Sequence, residues 1–338
     1  YPNSIGLFYS AITDFLGFEI NEGEFKVMSL SSYGKPTFEK EFLKIFDIEN
    51  FKIDMNYFDF DKILKKSFSD KLCNIIGEPY LNINEEINFN KYKDIACSAQ
   101  LILEKTVKNL IIKAIKITGK KKIILTGGVG LNCKMIYNLS ESDFFDELII
   151  PPSPGDSGSA IGAANFAYLH ETKIKTLDLK TIFLGPSRNI ITDTSTKFNF
   201  FNKLNVDSDF LDLAASKLKN GEIITTFLGN GETGPRSLGN TSILCNAMDI
   251  TIVKNLNLNL KKRNHFQPLA PIVLEKNFDK YFFLSDKIKK NLKWMGTLCI
   301  AKENLKKEYE SIIHVDGTCR TQIINDDNFL INDLMKKM

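Results

Sequence analysis

The 338-residue sequence predicts an α/β fold. Three observations carry that expectation. From Tyr92 onward, Ala96, Ala99, Leu103, Val107, Leu110, Ala114 and Ile117 recur at spacings of three and four, which is one face of a long amphipathic helix. Directly after it, "KKIILTGGVGLNCKM" runs from an apolar strand through a glycine turn into a helix start. "ELIIPPSPGDSGSAIGAANFAYLH" then repeats the pattern with a strand, a Pro/Gly turn and a helix. Strands alternating with helices put ligand sites beyond the carboxyl ends of the strands, so both glycine turns are expected to face one cleft.

Taken in order, the long helix should end near Gly119. "KKIILTGG" then reads as a buried strand, "GVGLN" as a turn and "CKMIYNLSES" as the next helix. In the second unit, Gly158, Ala160, Gly162, Ala163 and Ala164 are small enough for close contact with a neighbouring backbone or a ligand. A boundary is expected within residues 182–195, "IFLGPSRNIITDTS", where patterned sequence gives way to Pro, Gly, Ser, Thr and Asn. Beyond it, "GEIITTFLG" is a strand and "NGETGPRSLGNTSIL" a glycine-rich loop leading into another strand or helix. "LNLKKRNHFQPLAPIVL" reads as a basic helix end followed by a Pro-bounded strand.

A hydrophobic content of 43% with 25% charged residues is ordinary globular composition. The net charge of +3, from 44 basic and 41 acidic side chains, advertises neither a nucleic-acid footprint nor a membrane surface. The runs "GKKK" and "LKKR" are read as solvated faces. No apolar run approaches the roughly 18 residues of a membrane helix and no signal segment is seen, so a soluble, cytoplasmic protein is expected. The six cysteines have no metal spacing and read as reduced thiols. The opening "YPNSIGLFYSAITDFLGF" reads as mid-domain packing sequence, which suggests a fragment.

Two phosphate motifs are rejected. "GGVGLNC" puts Cys133 where a dinucleotide fingerprint wants its third glycine, and no GxxxxGK[ST] occurs. What remains is a glycine turn at a helix start, offering N–H groups to an anion or a sugar, or else a tight structural turn. Asp156 is a helix cap or a metal ligand, with spacing alone favouring the cap. Cys133 reads as buried and inert, and His170 on the apolar "NFAYLH" helix as structural. Arg236, Lys261, Lys262, Arg263 and Arg320 fall in separate turn-rich segments from which cations are able to converge on phosphate or carboxylate.

Seven stretches, in order along nearly the whole chain, resemble the carbamoyltransferase family that decorates nodulation factors, antibiotics and surface sugars. They are "NSIGLFYSAITDFLGF", "GEFKVMSLSSYGKP", "LTGGVGLNCKM", "PPSPGDSGSAIGAA", "GPRSLGNTSIL", "LKKRNHFQPLAPIVL" and "HVDGTCRTQ". The resemblance implies an actin-like (ASKHA, Kae1-like) domain portion over residues 1–185, lacking its N-terminal part. A YrdC-like α/β domain would follow over 186–338, lacking its C-terminal end. It further implies that carbamoyl phosphate and ATP, with Mg2+ as the ATP complex, give a carbamoyl adenylate in the YrdC-like part. The carbamoyl group would then pass to a hydroxyl of a sugar or small-molecule acceptor in the Kae1-like part, where Fe2+ or another divalent metal polarises the carbamoyl oxygen.

Position by position, the resemblance makes Asp156 a metal ligand, sets Gly127, Gly128 and Asn132 around the nucleotide portion of the adenylate, and counts Gly155 and the cleft-lining Glu24 and Lys26 of "GEFK" among the cofactor-binding residues. Arg236, Ser242, Lys261, Arg263, His314, Asp316 and Arg320 would handle carbamoyl phosphate and the phosphates of ATP. Asn230, Thr241 and Gln267 stand where the family has arginines, and the family's metal-binding histidine pair and its "NTSFN" segment have no counterpart. Three readings follow: an O-carbamoyltransferase that is a fragment or one piece of a split enzyme, with a complementary chain supplying the missing N-terminal region; a non-catalytic relic or nucleotide- or partner-binding subunit; or a tRNA threonylcarbamoyl-type enzyme. The last predicts a basic surface that the net charge does not advertise.

Overall fold

The computed structural model of the chain describes residues 2–60, 62, 66–80, 86–173, 181–186, 208–227, 229–324 and 329–338. Its first half is built on helices. α1 (Ile5–Phe15) starts where the Ser4 hydroxyl accepts the Leu7 N–H at 3.3 Å, satisfying one of the free donors of a helix start. α2 (Glu24–Leu30), α3 (Glu39–Ile45), the hairpin of β1 (Phe46–Asp47) and β2 (Lys52–Ile53), and α4 (Asp70–Ile76) follow. The 33-residue α5 (Glu86–Thr118) then runs through this half and stops at Gly119, whose φ of 67° a side chain would disfavour. Phe8 sits at the centre of the core, edge-to-face with Phe42, Phe46 and Phe58 at centroid distances of 5.4, 5.6 and 6.0 Å.

The predicted apolar stripe of α5 is only half core. Ala96, Ala99, Leu103 and Val107 are buried, whereas Leu110, Ala114 and Ile117 are exposed. Toward the C-terminal end the packed line shifts to Ile111 and Ile115, because the helix leaves the core while its apolar sequence continues.

β3 (Lys122–Ile124) leads through the first glycine turn into α6 (Cys133–Ser140), and β4 (Glu147–Ile149) through the second into α7 (Ser159–Thr172). β3 and β4 pair in parallel with Ile123 opposite Leu148. The expectation of a buried strand fails for β3: Ile124 is 69% exposed, and among the described residues β3 pairs with β4 alone. The close contact expected of the small residues at the start of α7 is seen at Gly158, where a Cβ would collide with Ser153 O, but α7 buries no residue completely and His170 is an exposed side chain rather than a structural one.

The second half comprises α8 (Ser208–Lys219), the antiparallel pair β5 (Ile224–Phe227) and β6 (Thr241–Leu244), and α9 (Ile250–Asn255). β7 (Ile272–Leu274), α10 (Phe278–Tyr281), β8 (Phe282–Phe283), β9 (Cys299–Ala301), α11 (Glu303–Glu308), β10 (Thr318–Cys319), β11 (Gln322–Ile324) and α12 (Phe329–Lys337) complete it. β8, β9 and β10 form an antiparallel sheet, and β11 pairs in parallel with β7. The "GPRSLGNTSIL" loop thus leads into a strand, β6, and "APIVL" supplies β7. The fold is mixed α/β with small sheets, and no described helix is long and apolar enough to cross a membrane. Most of the predicted boundary at 182–195 lies outside the described residues. Its described part, 181–186, bonds to the loop before β6, with Thr233 N to Ile182 O at 2.7 Å and Gly185 N to Gly231 O at 2.9 Å.

The halves join along the outer edge of β4. Asn291, on the 3-10 helix Asp286–Trp294, accepts the Ile150 N–H and donates to Leu148 O, both at 2.9 Å, and the Trp294 indole donates to Ile150 O at 2.8 Å. One buried side-chain amide thereby replaces the two ladder bonds of a neighbouring strand.

Candidate functional site

The two glycine turns meet, as their placement after adjacent parallel strands predicts. The Gly127 N–H donates to Pro154 O at 2.7 Å, and a Cβ on Gly155 would lie 3.9 Å from Gly128 Cα. Gly127 has φ 92°, a conformation glycine reaches without strain. At Gly128, φ is not positive and a Cβ would meet nothing within 4 Å, so no internal contact of the protein requires glycine there. Open space over a bare backbone suits the approach of a ligand.

Asn132 faces the other way. Its Oδ1 accepts the Met135 N–H at 2.9 Å and so caps α6, and its amide pairs with Gln100 in both directions at 2.8 and 3.0 Å. Gln100 in turn holds the Tyr9 hydroxyl at 2.8 Å and the Glu104 carboxylate at 2.7 Å. Burial pushes the Glu104 carboxyl and the Tyr9 phenol up from their ordinary values. This closed network spends the Asn132 amide on the scaffold of the turn.

Asp156 is exposed at the start of the second turn, and neither the 3-10 turn Asp156–Gly158 nor α7 takes a side-chain cap, so the cap reading fails. Among the described residues no group of three His, Cys, Asp or Glu side chains comes together. One carboxylate oxygen donor does not make a site for Fe2+, whose common protein sites need several convergent nitrogen or oxygen ligands. The residues present do not fit the iron that the resemblance implies.

The cations do converge, around Arg320. Desolvation first, and then Arg320, bring Arg236 down to about 10; the same two causes in the same order lower Arg263. Burial, Arg263 and Arg320 lower Lys261. Lys262 stays outside the group, exposed at φ 48°. The Arg320 Nε is buried without a hydrogen-bond partner. Arg263 and Arg320 line a pocket of about 70 Å³ together with Phe25, Met28, Lys134 and His314, and among the described residues no Asp or Glu lines it. Clustered guanidinium groups lacking a carboxylate are unfavourable until an anion joins them.

The loop before β6 ties this basin to both glycine turns. Arg236 Nη2 donates to Leu131 O of the first turn at 3.0 Å. Gly234, with φ 107°, lies so close to Pro152 of the second turn that a Cβ would come within 2.6 Å of its carbonyl oxygen. Glu232 organises the loop, accepting from Leu238 N at 3.2 Å, Thr241 N at 2.7 Å and the Thr241 hydroxyl at 3.0 Å. Ser242 belongs to the same scaffold, with its Oγ 2.5 Å from that of Ser237 and accepting the Gly239 N–H at 3.0 Å. Of the residues that the resemblance sets against family arginines, Thr241 is held by Glu232, the buried Gln267 accepts the Asn264 N–H at 3.0 Å, and Asn230 reaches Phe183 O at 3.4 Å.

His314 and Asp316 clamp the halves together. Asp316 accepts from the hydroxyls of Ser32 and Thr318, both at 2.6 Å, and from Lys134 Nζ at 3.3 Å. Burial alone would raise its carboxyl; the hydrogen bonds from His314, Ser32 and Thr318 and the charge of Lys134 outweigh that and hold it well below the usual carboxylate range. His314 Nε2 lies 3.2 Å from Phe266 O and 3.3 Å from Ser29 Oγ, and the Ser29 hydroxyl donates to Phe266 O at 2.7 Å.

Glu24 and Lys26 stay out of the pocket. Glu24 accepts from Ser10 Oγ at 2.6 Å and Asn21 N at 3.0 Å, and Lys26 lies over the Phe18 ring at 5.5 Å. The residue between them, Phe25, reaches the pocket, because successive helix positions point about 100° apart. Phe25 and Lys134 are among the pocket residues that motif reading passed over, although both sit inside quoted stretches.

Residues 1–165 match the family described as carbamoyltransferase N-terminus, and residues 215–338 match carbamoyltransferase C-terminus. The chain is 30% identical over 360 residues to an uncharacterized protein of Synechocystis sp., covering 97% of this chain and 58% of the relative. It is 32% identical over 355 residues to an uncharacterized protein of Methanocaldococcus jannaschii, covering 99% and 54%. Nodulation protein NolO of Bradyrhizobium diazoefficiens is 28% identical over 331 residues, covering 96% and 58%. The chain therefore spans a little over half the length of these relatives. Two consecutive family matches cover most of its length, and on that ground the chain belongs to the carbamoyltransferase family.

Proposed function

We propose that this chain is part of an O-carbamoyltransferase that makes carbamoyl adenylate and passes the carbamoyl group to a hydroxyl of a sugar or small-molecule acceptor. The observation that carries the reading is the carboxylate-free cluster of Arg236, Lys261, Arg263 and Arg320, joined to the glycine turn through the Arg236 bond to Leu131 O. Carbamoyl phosphate, ATP and water would give carbamoyl adenylate, phosphate and pyrophosphate. The acceptor hydroxyl would then attack the carbamoyl carbon, and AMP would leave. The cations fit the first step, in which charge moves between phosphate groups. The open backbone at Gly127 and Gly128 fits a bound adenylate. In this reading the glycine turns belong to an actin-like, Kae1-like unit over 1–185 and the basin to a YrdC-like unit over 186–338. No step is assigned to a metal. The test is carbamoyl phosphate-dependent release of pyrophosphate from ATP: the full chain is expected to release it, and Arg320→Gln to lose it. Release that ignores carbamoyl phosphate would overturn the adenylate step.

A second reading, a nucleotide- or partner-binding subunit without turnover, draws on Thr241 and Gln267, which are uncharged and already bonded within the protein. Binding of ATP without any pyrophosphate release would favour it.

A further inference from the structure

Gln267 is 4% exposed and lines the pocket beside Arg263 and Arg320. Three hydrogen bonds fix it. Its N–H donates to Asn264 O at 3.1 Å, its C=O accepts from Asn257 Nδ2 at 2.6 Å, and its Oε1 accepts the Asn264 N–H at 3.0 Å. The last bond settles which way the amide points, because a backbone N–H only donates and so must face the oxygen. The nitrogen end is left over. Nε2 has no hydrogen-bond partner among the described residues, and it is not one of the side-chain atoms sealed from solvent without one, so its N–H groups open onto the pocket that Gln267 lines. The neighbouring donors are charged: Arg263, Arg320 with its unpaired Nε, and Lys134, which Ser32 and Asp316 already engage. A buried donor held in one direction with nothing to donate to is unfavourable until a ligand supplies the acceptor.

We infer that Gln267 is a specificity-determining residue that reads the acyl end of the ligand: its amide donates to the uncharged carbonyl oxygen of an acyl phosphate whose phosphate lies on Arg263 and Arg320. The assignment rests on the function proposed above and adds to it the atom that position 267 touches. Charge matching carries it. A phosphate group favours guanidinium donors, which are charged and bind two oxygens at once. A carbonyl oxygen has no charge to offset that of a buried guanidinium. A neutral amide meets it without adding a cation to a cluster in which burial and mutual repulsion already lower Arg236, Lys261 and Arg263. The exchange of arginine for glutamine that the resemblance indicates thus changes what the position recognises, and the uncharged side chain is a means of selection rather than a lost phosphate contact.

Three phosphonates of one shape separate the groups. Phosphonoacetamide has both the carbonyl and the amino group of a carbamoyl phosphate, acetonylphosphonate keeps the carbonyl alone, and isobutylphosphonate has neither. Titration calorimetry of the full chain is expected to show both carbonyl ligands binding more than about tenfold tighter than isobutylphosphonate, because a site built to donate a hydrogen bond rejects the analogue that lacks the acceptor. Gln267→Met, close in length and without a donor, should bring the three affinities within about twofold of one another. In the isotopically labelled parent chain, the side-chain amide signals of Gln267 should shift with the two carbonyl ligands and not with isobutylphosphonate, which tests the assignment even where Gln267→Met fails to fold without its bond to Asn264. Equal affinities in the parent, a preference for phosphonoacetamide alone, or a preference that survives Gln267→Met would overturn the role of Gln267 and leave the cation basin in place. Binding of none of the three would overturn the basin itself as a site for acyl phosphates, and the role of Gln267 with it.

Discussion

Arg320 repels the charges of Arg236, Lys261 and Arg263 and leaves its buried Nε without a partner, so its own charge is poorly compensated in the chain without ligand. Arg320→Gln is therefore expected to leave the unliganded melting temperature unchanged or raised. If the proposed reading holds, ATP or carbamoyl phosphate stabilises the parent chain by about 2.7 kcal/mol at a hundredfold excess over Kd, and that stabilisation should disappear in the variant. Thermal scans with and without ligand measure both terms, and a variant that is less stable without ligand would mean that Arg320 is structural. Asp316 shows the opposite logic, since its charge is fully engaged. Its folded pKa lies below the unfolded value of about 3.9, so its contribution is complete above that value and is lost as pH falls through the folded one. Asp316→Asn should cost about 1–3 kcal/mol at pH 7. The gap between variant and parent should begin to close below about pH 4, which urea unfolding at a series of pH values would follow.

At the scale of elements, the two glycines of the first turn separate conformation from access. Gly127→Ala places a side chain at φ 92° and should destabilise by about 1–2 kcal/mol. Gly128→Ala meets nothing within 4 Å and should leave stability within about 0.5 kcal/mol. If the bare backbone is where the adenylate lies, Gly128→Ala nonetheless lowers carbamoyl transfer, and unchanged transfer would remove this turn from the site. The sequence made much of this region legible: two strand–turn–helix units on adjacent strands, their turns in contact, and a long helix ending at Gly119. Motifs name residue types, however, and not the direction in which each side chain points. The stretch "GEFK" offered two charges, but the phase of α2 turns Phe25 to the pocket and sends Glu24 to Ser10. "HVDGT" offered a histidine and a carboxylate: Asp316 is engaged by Ser32 and Lys134, whereas His314 lies against Ser29 and also lines the pocket. Apolar periodicity announced a buried α5 and β3 without saying what would cover their far ends.

Across the whole molecule, Asn291, Asp316 and Arg236 make three polar joints between the halves, and the glycine turns sit among them. Opening any joint changes the approach of the basin to the turns. Asn291→Ala leaves Ile150 N and Leu148 O buried without those partners, which should cost about 1–3 kcal/mol in urea unfolding. Stability should be just as uneven along the chain. An isolated helix of 14 residues is marginal in water, and α7 gains little from packing, since it buries no residue completely. Its amides in the free chain should exchange within about tenfold of unstructured rates. Those of α1 and of the Tyr92–Val107 part of α5, packed around Phe8 and Ile102, should exchange only through global unfolding. Between them the C-terminal turns of α5 should exchange at intermediate rates, because one side rests on Ile111 and Ile115 and the other meets solvent. Hydrogen exchange of the chain by itself reads all three classes in one measurement. Strong protection of α7 under conditions where the chain is monomeric would mean that the helix is held by packing and not marginal, contrary to this expectation.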